Sequence, residues 1–235
     1  IFDLKQFLQH IKTIYTRIMK KSILIVASLF SIVCFSQQKQ DKAKFTTSEI
    51  AVNPLLNGTL FTPENQNKKT NLVILIAGSG PTNRSGNQVG IMNNSLKYLS
   101  EELAKKDIAV VSYDKRIIAQ MIAGTVNEKE LSFEDFINDA KTVISYFKSK
   151  KKYNKIIIAG HSEGSLIGMV AANGNADGYI SLDGAGRPID VVITEQFEIK
   201  APSLKEDVQK YMAILKKEKT FDMKNQMIGS IFSES

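Results

Sequence analysis

Four short apolar runs punctuate the middle of this chain, and helical patterns separate them. The runs are "LVILIA" from Leu72, "IAVVSY" from Ile108, "KIIIAG" from Lys155 and "GYISL" from Gly178. Brief stretches of this kind, rich in β-branched residues and followed by glycine or acid, predict strands buried on both faces. In "NNSLKYLSEELAKKD" Leu96, Leu99 and Leu103 share one helical face behind an Asn/Ser cluster suited to capping. "SFEDFINDAKTVISYFKSK" carries a stripe of Phe133, Phe136, Ile137, Ala140, Val143, Ile144 and Phe147, and Ser132 with Asp135 fits a capping box. "GSLIGMVAA" reads as a helix of small residues. Strand alternating with helix predicts an α/β domain: a mostly parallel sheet with helices on both faces.

The flanks read differently. Ile50 to Phe61 predicts extended segments around a turn at Asn57-Gly58. Beyond Arg187 no further apolar strand appears, and residues 188–235 read as a helical, cap-like segment. Within it "APSLKEDVQKYMAILKKEK" offers a second capping box, Ser203 to Glu206. The sheet is therefore expected to be incomplete at its C-terminal side.

The first residues add a leader. "MKKSILIVASLFSIVCFSQQ" has a Met, two lysines, an apolar stretch from Ile23 to Phe35, and small residues at Cys34 and Ser36 ahead of polar sequence. This pattern predicts a signal peptide over 19–36, cleaved near Ser36, with the mature protein exported to a periplasm or outside the cell. The apolar core is too short to span a bilayer comfortably, so membrane contact is expected only through this segment. Residues 1–18 read as an upstream extension, 37–44 as a linker, and 45–235 as the globular domain.

Charge changes the picture little. The formal net charge is +7, but residues 1–36 hold five Lys/Arg against one acid, leaving the remainder at +3. The dense run Lys148 to Lys152 falls at a predicted helix end, where cations favour the dipole. Nucleic acid is not an expected partner. One cysteine, Cys34, excludes an intrachain disulfide framework and a multi-cysteine metal site. No metal or organic cofactor is called for.

The candidate chemistry lies in "KIIIAGHSEGSLIGMVAA". Gly160-His161-Ser162-Glu163-Gly164 sits where a strand gives way to a helix, so a sharp turn can raise the Ser162 hydroxyl above the sheet in a strained conformation. The glycines relieve crowding in that turn. The helix beginning at the serine offers unpaired N–H groups to a developing oxyanion.

These motifs resemble the α/β-hydrolase superfamily, and within it the serine aminopeptidase-like, S33-type group. "GSGP" from Gly78, "YDKR" from Tyr113, "GHSEG" from Gly160 and "DGAGRP" from Asp183 carry the resemblance over roughly residues 45–230. It implies hydrolysis of small ester, amide or peptide substrates through an acyl-enzyme on Ser162, with the N–H groups of Ser79 and Glu163 as oxyanion hole. Gly78, Gly80, Asn83, Arg84 and Arg116 are candidate pocket residues. Asp114 is expected to pair with Arg116, and Glu163 to face solvent or Arg116. His161 is expected to hydrogen-bond inside the core; Asp183 is either a triad acid or part of a close-packed turn.

The chain departs from the family in its base. Its histidines are His10 and His161, and neither is placed to take the serine proton. In this fold the acid and histidine follow later strands, so the expectation is a fragment with little activity of its own. The alternative is a non-catalytic binding module on the same fold.

Overall fold

β1 (Phe45–Asn53) and β2 (Leu56–Pro63) form an antiparallel hairpin. Its turn falls at Pro54-Leu55 rather than at Asn57-Gly58, because the Asn53 side-chain oxygen accepts the N–H groups of Leu55 and Leu56 at 2.9 and 3.0 Å. Asn57 and Gly58 lie inside β2, opposite Ala51 and Ile50. Gly58 serves close strand approach instead of a turn: a Cβ there would lie 2.8 Å from the Ser112 carbonyl oxygen. The computed structural model describes residues 44–217 and residue 228. The leader, the upstream extension and nearly all of the linker expected over 37–44 lie outside the described residues.

The remaining strands are β3 (Leu72–Ile76), β4 (Ala109–Tyr113), β5 (Ile156–His161) and β6 (Gly178–Leu182). The sheet runs in the order β1-β2-β4-β3-β5-β6. β2 meets β4 antiparallel, and β4, β3, β5 and β6 are mutually parallel. Between them lie α1 (Ser95–Ala104), α2 (Arg116–Ala123), α3 (Phe133–Lys150) and α4 (Glu163–Ala172). This is the α/β architecture expected, with helices on both faces.

β3 shows why its run is continuously apolar. Leu72, Ile74 and Ile76 face a core with Ala140, Val143, Ile144 and Phe147 of α3 and Ile167 and Ala171 of α4. Val73 and Leu75 face the opposite core, with Leu96 and Ala104 of α1. Successive strand side chains alternate in direction, so a strand covered on both sides needs apolar residues at every position.

α3 begins as expected: Ser132 and Asp135 exchange side-chain to backbone hydrogen bonds in a capping box. Ser132 donors first, then the guanidinium of Arg116, hold the Asp135 carboxyl below the usual carboxylate range. The second expected box does not form. Pro202–Leu204 makes a 3₁₀ turn, and the following helix has Leu204, without a side-chain cap, at its start. Proline at the head of that turn fixes its φ and displaces Ser203 from the capping position. α5 (Ile189–Lys200) and α6 (Lys205–Leu215) pack together around Phe197, Val208 and Ile228. Among the described residues no helix is long and apolar enough to cross a membrane.

Candidate active site

β5 ends at His161 and α4 begins at Glu163, leaving Ser162 alone to turn the chain. Its backbone sits at φ 53°, ψ −120°, a conformation costly for a residue with a Cβ. The turn survives because both flanking glycines leave room. A Cβ on Gly160 would lie 2.0 Å from the Gly164 carbonyl oxygen, and one on Gly164 would lie 2.4 Å from that of Ala77. The Ser162 N–H donates to Leu182 O at 2.9 Å, tying the turn to the end of β6. Ser165 of α4 donates its hydroxyl to Gly160 O. The serine hydroxyl itself has no hydrogen-bond partner among the described residues.

The glycine loop after β3 lies beside this serine: a Cβ on Gly78 would be 3.3 Å from Ser162 Cβ. The three carbonyls from Gly78 to Gly80 each have a donor. Lys115 Nζ reaches Gly78 O at 3.0 Å. Thr82 Oγ1 and Gln88 Nε2 each donate to Ser79 O at 2.8 Å. The Thr82 N–H donates to Gly80 O at 2.8 Å. In a trans peptide the N–H points opposite to the C=O, and no peptide here is cis. The Ser79 N–H is thus directed away from Lys115, and it makes no hydrogen bond among the described residues. The Glu163 N–H, in the first turn of α4, is among those a helix leaves without an intrahelical partner.

Three successive charges at the end of β4 go to three different places. Asp114 turns to Arg84, accepting its backbone N–H at 2.7 Å and its guanidinium at 2.9 and 2.7 Å. Lys115 turns inward, 4% exposed, and pairs with Glu163 Oε1 at 2.6 Å with the Phe136 ring 4.6 Å away. Arg116 turns to α3, donating to Asp139 at 2.8 Å from two nitrogens and to Asp135 at 2.8 Å. The expected Asp114–Arg116 pair therefore does not form: Asp114 is taken by Arg84, while Arg116 already belongs to α2 and is turned to the carboxylates of α3. Glu163, its side chain 31% exposed, meets Lys115 and not Arg116.

The other sequence-predicted residues are placed as follows. Gly78 and Gly80 belong to the loop, with Gly78 against the serine and Gly80 at φ 72°. The Asn83 side chain accepts the N–H groups of Ser85 and Asn87 and so shapes its own loop. Arg84 is held by Asp114 and Glu49. His161 is exposed, its ring against Gly78 and not hydrogen-bonded in the core as expected; no hydrogen bond joins it to Ser162. Asp183 is exposed at φ 53°, and the close packing after β6 belongs to Gly184, whose Cβ would lie 2.6 Å from that of Ser165. Lys115 is the residue that sequence reasoning missed. Its signals in the sequence were its place in "YDKR" and its position two residues past the end of a buried strand.

A separate cavity of about 590 Å³ lies by the start of β5, lined by Tyr146, Phe147, Tyr153 and Lys150 to Lys152, and holds none of these residues.

Residues 90–186 match the family described as serine aminopeptidase, S33. Over 179 residues, 75% of the chain, the sequence is 28% identical to the esterase EstD of Thermotoga maritima and spans 42% of that protein's length. Among solved structures, Est1E from Butyrivibrio proteoclasticus is similar with a TM-score of 0.46 and 22% identity, covering 66% of this chain and 57% of that one. The α/β serine hydrolase XC6422 from Xanthomonas campestris, described as having no lid, gives 0.43 and 18%, covering 63% and 65%.

Proposed function

We propose that this chain, matched over residues 90–186 to the serine aminopeptidase family of α/β-hydrolases, is a serine hydrolase that cleaves small esters through an acyl-enzyme on Ser162. The observation that carries this reading is the strained Ser162 turn beside a glycine loop whose carbonyls from Gly78 to Gly80 are held by other donors. Ser162 Oγ attacks the ester carbonyl carbon, the new C–O bond forms as the carbonyl π pair moves onto oxygen, and a base takes the hydroxyl proton. The N–H groups of Ser79 and Glu163 hold that oxygen's charge. Collapse expels the alcohol, which receives the proton. Water then repeats the sequence and releases the acid.

The base is a histidine that we place outside residues 44–217. His161, exposed and unbonded to Ser162, is poorly disposed to serve. Without that base the hydroxyl is a weak nucleophile at neutral pH, so this chain alone is expected to turn over slowly. An ester substrate is favoured over an aminopeptidase's cationic one because Glu163, the carboxylate beside the serine, is already paired with Lys115. The similarity to an esterase points the same way. Val89 and Met92, largely exposed beyond Gln88 in the loop that Gln88 ties to Ser79, suit an apolar acyl or alcohol group.

The test is labelling by a fluorophosphonate of the protein carrying its downstream reading frame. Labelling at Ser162, abolished in Ser162→Ala, is expected. A folded protein that takes no label would favour the non-catalytic binding module. Rates on p-nitrophenyl esters above those on aminoacyl anilides would support the ester preference.

A further inference from the structure

Resting on the reading of Ser162 as nucleophile, we propose that Lys115 is the positioning residue of the oxyanion site, one ammonium fastening the two segments that supply its N–H donors. The Nζ reaches Gly78 O at 3.0 Å on the β3 side and Glu163 Oε1 at 2.6 Å on the α4 side. A third, longer contact of 3.5 Å goes to Gly80 O. The remaining face of the ammonium lies 4.6 Å from the Phe136 ring centre, an attractive arrangement for a buried cation. An ammonium has three protons to give, and these partners account for them.

Two consequences follow for an oxygen that becomes negative next to Ser162. Gly78 O and the Ser79 N–H belong to one peptide plane, so anchoring the carbonyl on Lys115 fixes where the N–H points. A cation on the carbonyl also polarises that peptide and strengthens its N–H as a donor. The second consequence is electrostatic. Glu163 follows the nucleophile directly, and an unpaired carboxylate there would oppose a developing oxyanion. Lys115 cancels that charge while holding the first residue of α4 against the glycine loop. Lys115 touches no reacting atom in this scheme; it acts through Ser79 and Glu163.

The experiment compares fluorophosphonate labelling of Ser162 in the protein with its downstream reading frame and in Lys115→Met, which keeps an unbranched side chain one atom shorter and removes the charge. The rate constant is expected to fall on the order of 10- to 100-fold, while the final stoichiometry stays at the wild-type level. On p-nitrophenyl esters kcat should fall with KM little changed. A merely structural lysine would instead lower the labelled fraction and leave the rate constant alone. Adding Glu163→Gln to Lys115→Met should recover at least about threefold, since the uncompensated carboxylate is gone. If circular dichroism shows Lys115→Met unfolded, Lys115→Gln, which can still donate to Gly78, is compared in its place, with the same loss in rate constant at a smaller size. A wild-type rate constant in the folded variant overturns this inference alone. A wild-type protein that takes no label removes the reading of Ser162, and this inference with it.

Discussion

Gly160 and Gly164 meet backbone to backbone: a Cβ built on Gly160 would sit 2.0 Å from the carbonyl oxygen of Gly164. Neither main chain can retreat, because Gly164 is itself pressed on Ile76 and Ala77 at the end of β3. Gly160→Ala and Gly164→Ala are each expected to cost about 3 kcal/mol or more, read as a drop in the urea midpoint. Gly178→Ala, whose nearest contact would be Ile157 at 3.6 Å, should stay within roughly 1 kcal/mol of wild type. Equal effects at positions 160 and 178 would contradict this account of the turn.

Ser162 occupies a backbone conformation that glycine adopts without a Cβ penalty. Ser162→Gly should therefore raise stability by about 1 kcal/mol, the low end of what such strain stores, while abolishing fluorophosphonate labelling. Thermal denaturation beside Ser162→Ala separates strain from loss of the hydroxyl, since alanine keeps the Cβ. A Ser162→Gly variant less stable than Ser162→Ala would show that the turn is unstrained.

α3 is fastened to the end of β4 through Arg116. The Asp139 carboxylate, its residue 5% exposed, receives two guanidinium hydrogen bonds, whereas the Asp135 carboxylate, nearer solvent, receives one from Nη1. Asp139→Ala is expected to lower stability by about 2 kcal/mol by leaving charge-assisted bonds unmade. Arg116→Lys, which cannot reproduce the planar fork, should recover little of Arg116→Ala. Chemical denaturation at neutral pH measures both.

The α3 cap gives a pH signature. The Asp135 carboxyl lies below its ordinary value of 3.8 in the folded protein, first through the Ser132 backbone and hydroxyl donors. A depressed folded value means the unfolded chain binds the proton more readily, so the stabilisation is complete above that ordinary value and fades as pH falls through the folded one. Ser132→Ala should cost about 1 kcal/mol at pH 7. The gap to wild type should narrow in acid, leaving the part due to the hydroxyl accepting the Asp135 N–H. A gap that widens below pH 4 would contradict this reading.

The parallel strands, the helices between them and the Ser162 turn could be read from the chain because each rests on local chemistry: continuous apolar runs, helical stripes, a capping box, and glycines around a serine. Local chemistry misled at Asn57-Gly58, where a good turn pair lies in a strand because β4 passes too close for any side chain, and at Ser203, where Pro202 starts the turn first. What the sequence settled by itself was the alternation of elements and the strand-to-helix turn at Ser162. Which charge meets which was decided only by the tertiary structure. Asp114, Lys115 and Arg116 are neighbours along the chain, yet their partners lie 30, 48 and 23 residues away at Arg84, Glu163 and Asp139. Ion pairs form between side chains that the folded sheet brings within reach, and three residues leaving a strand in different directions carry no mark of where each will arrive.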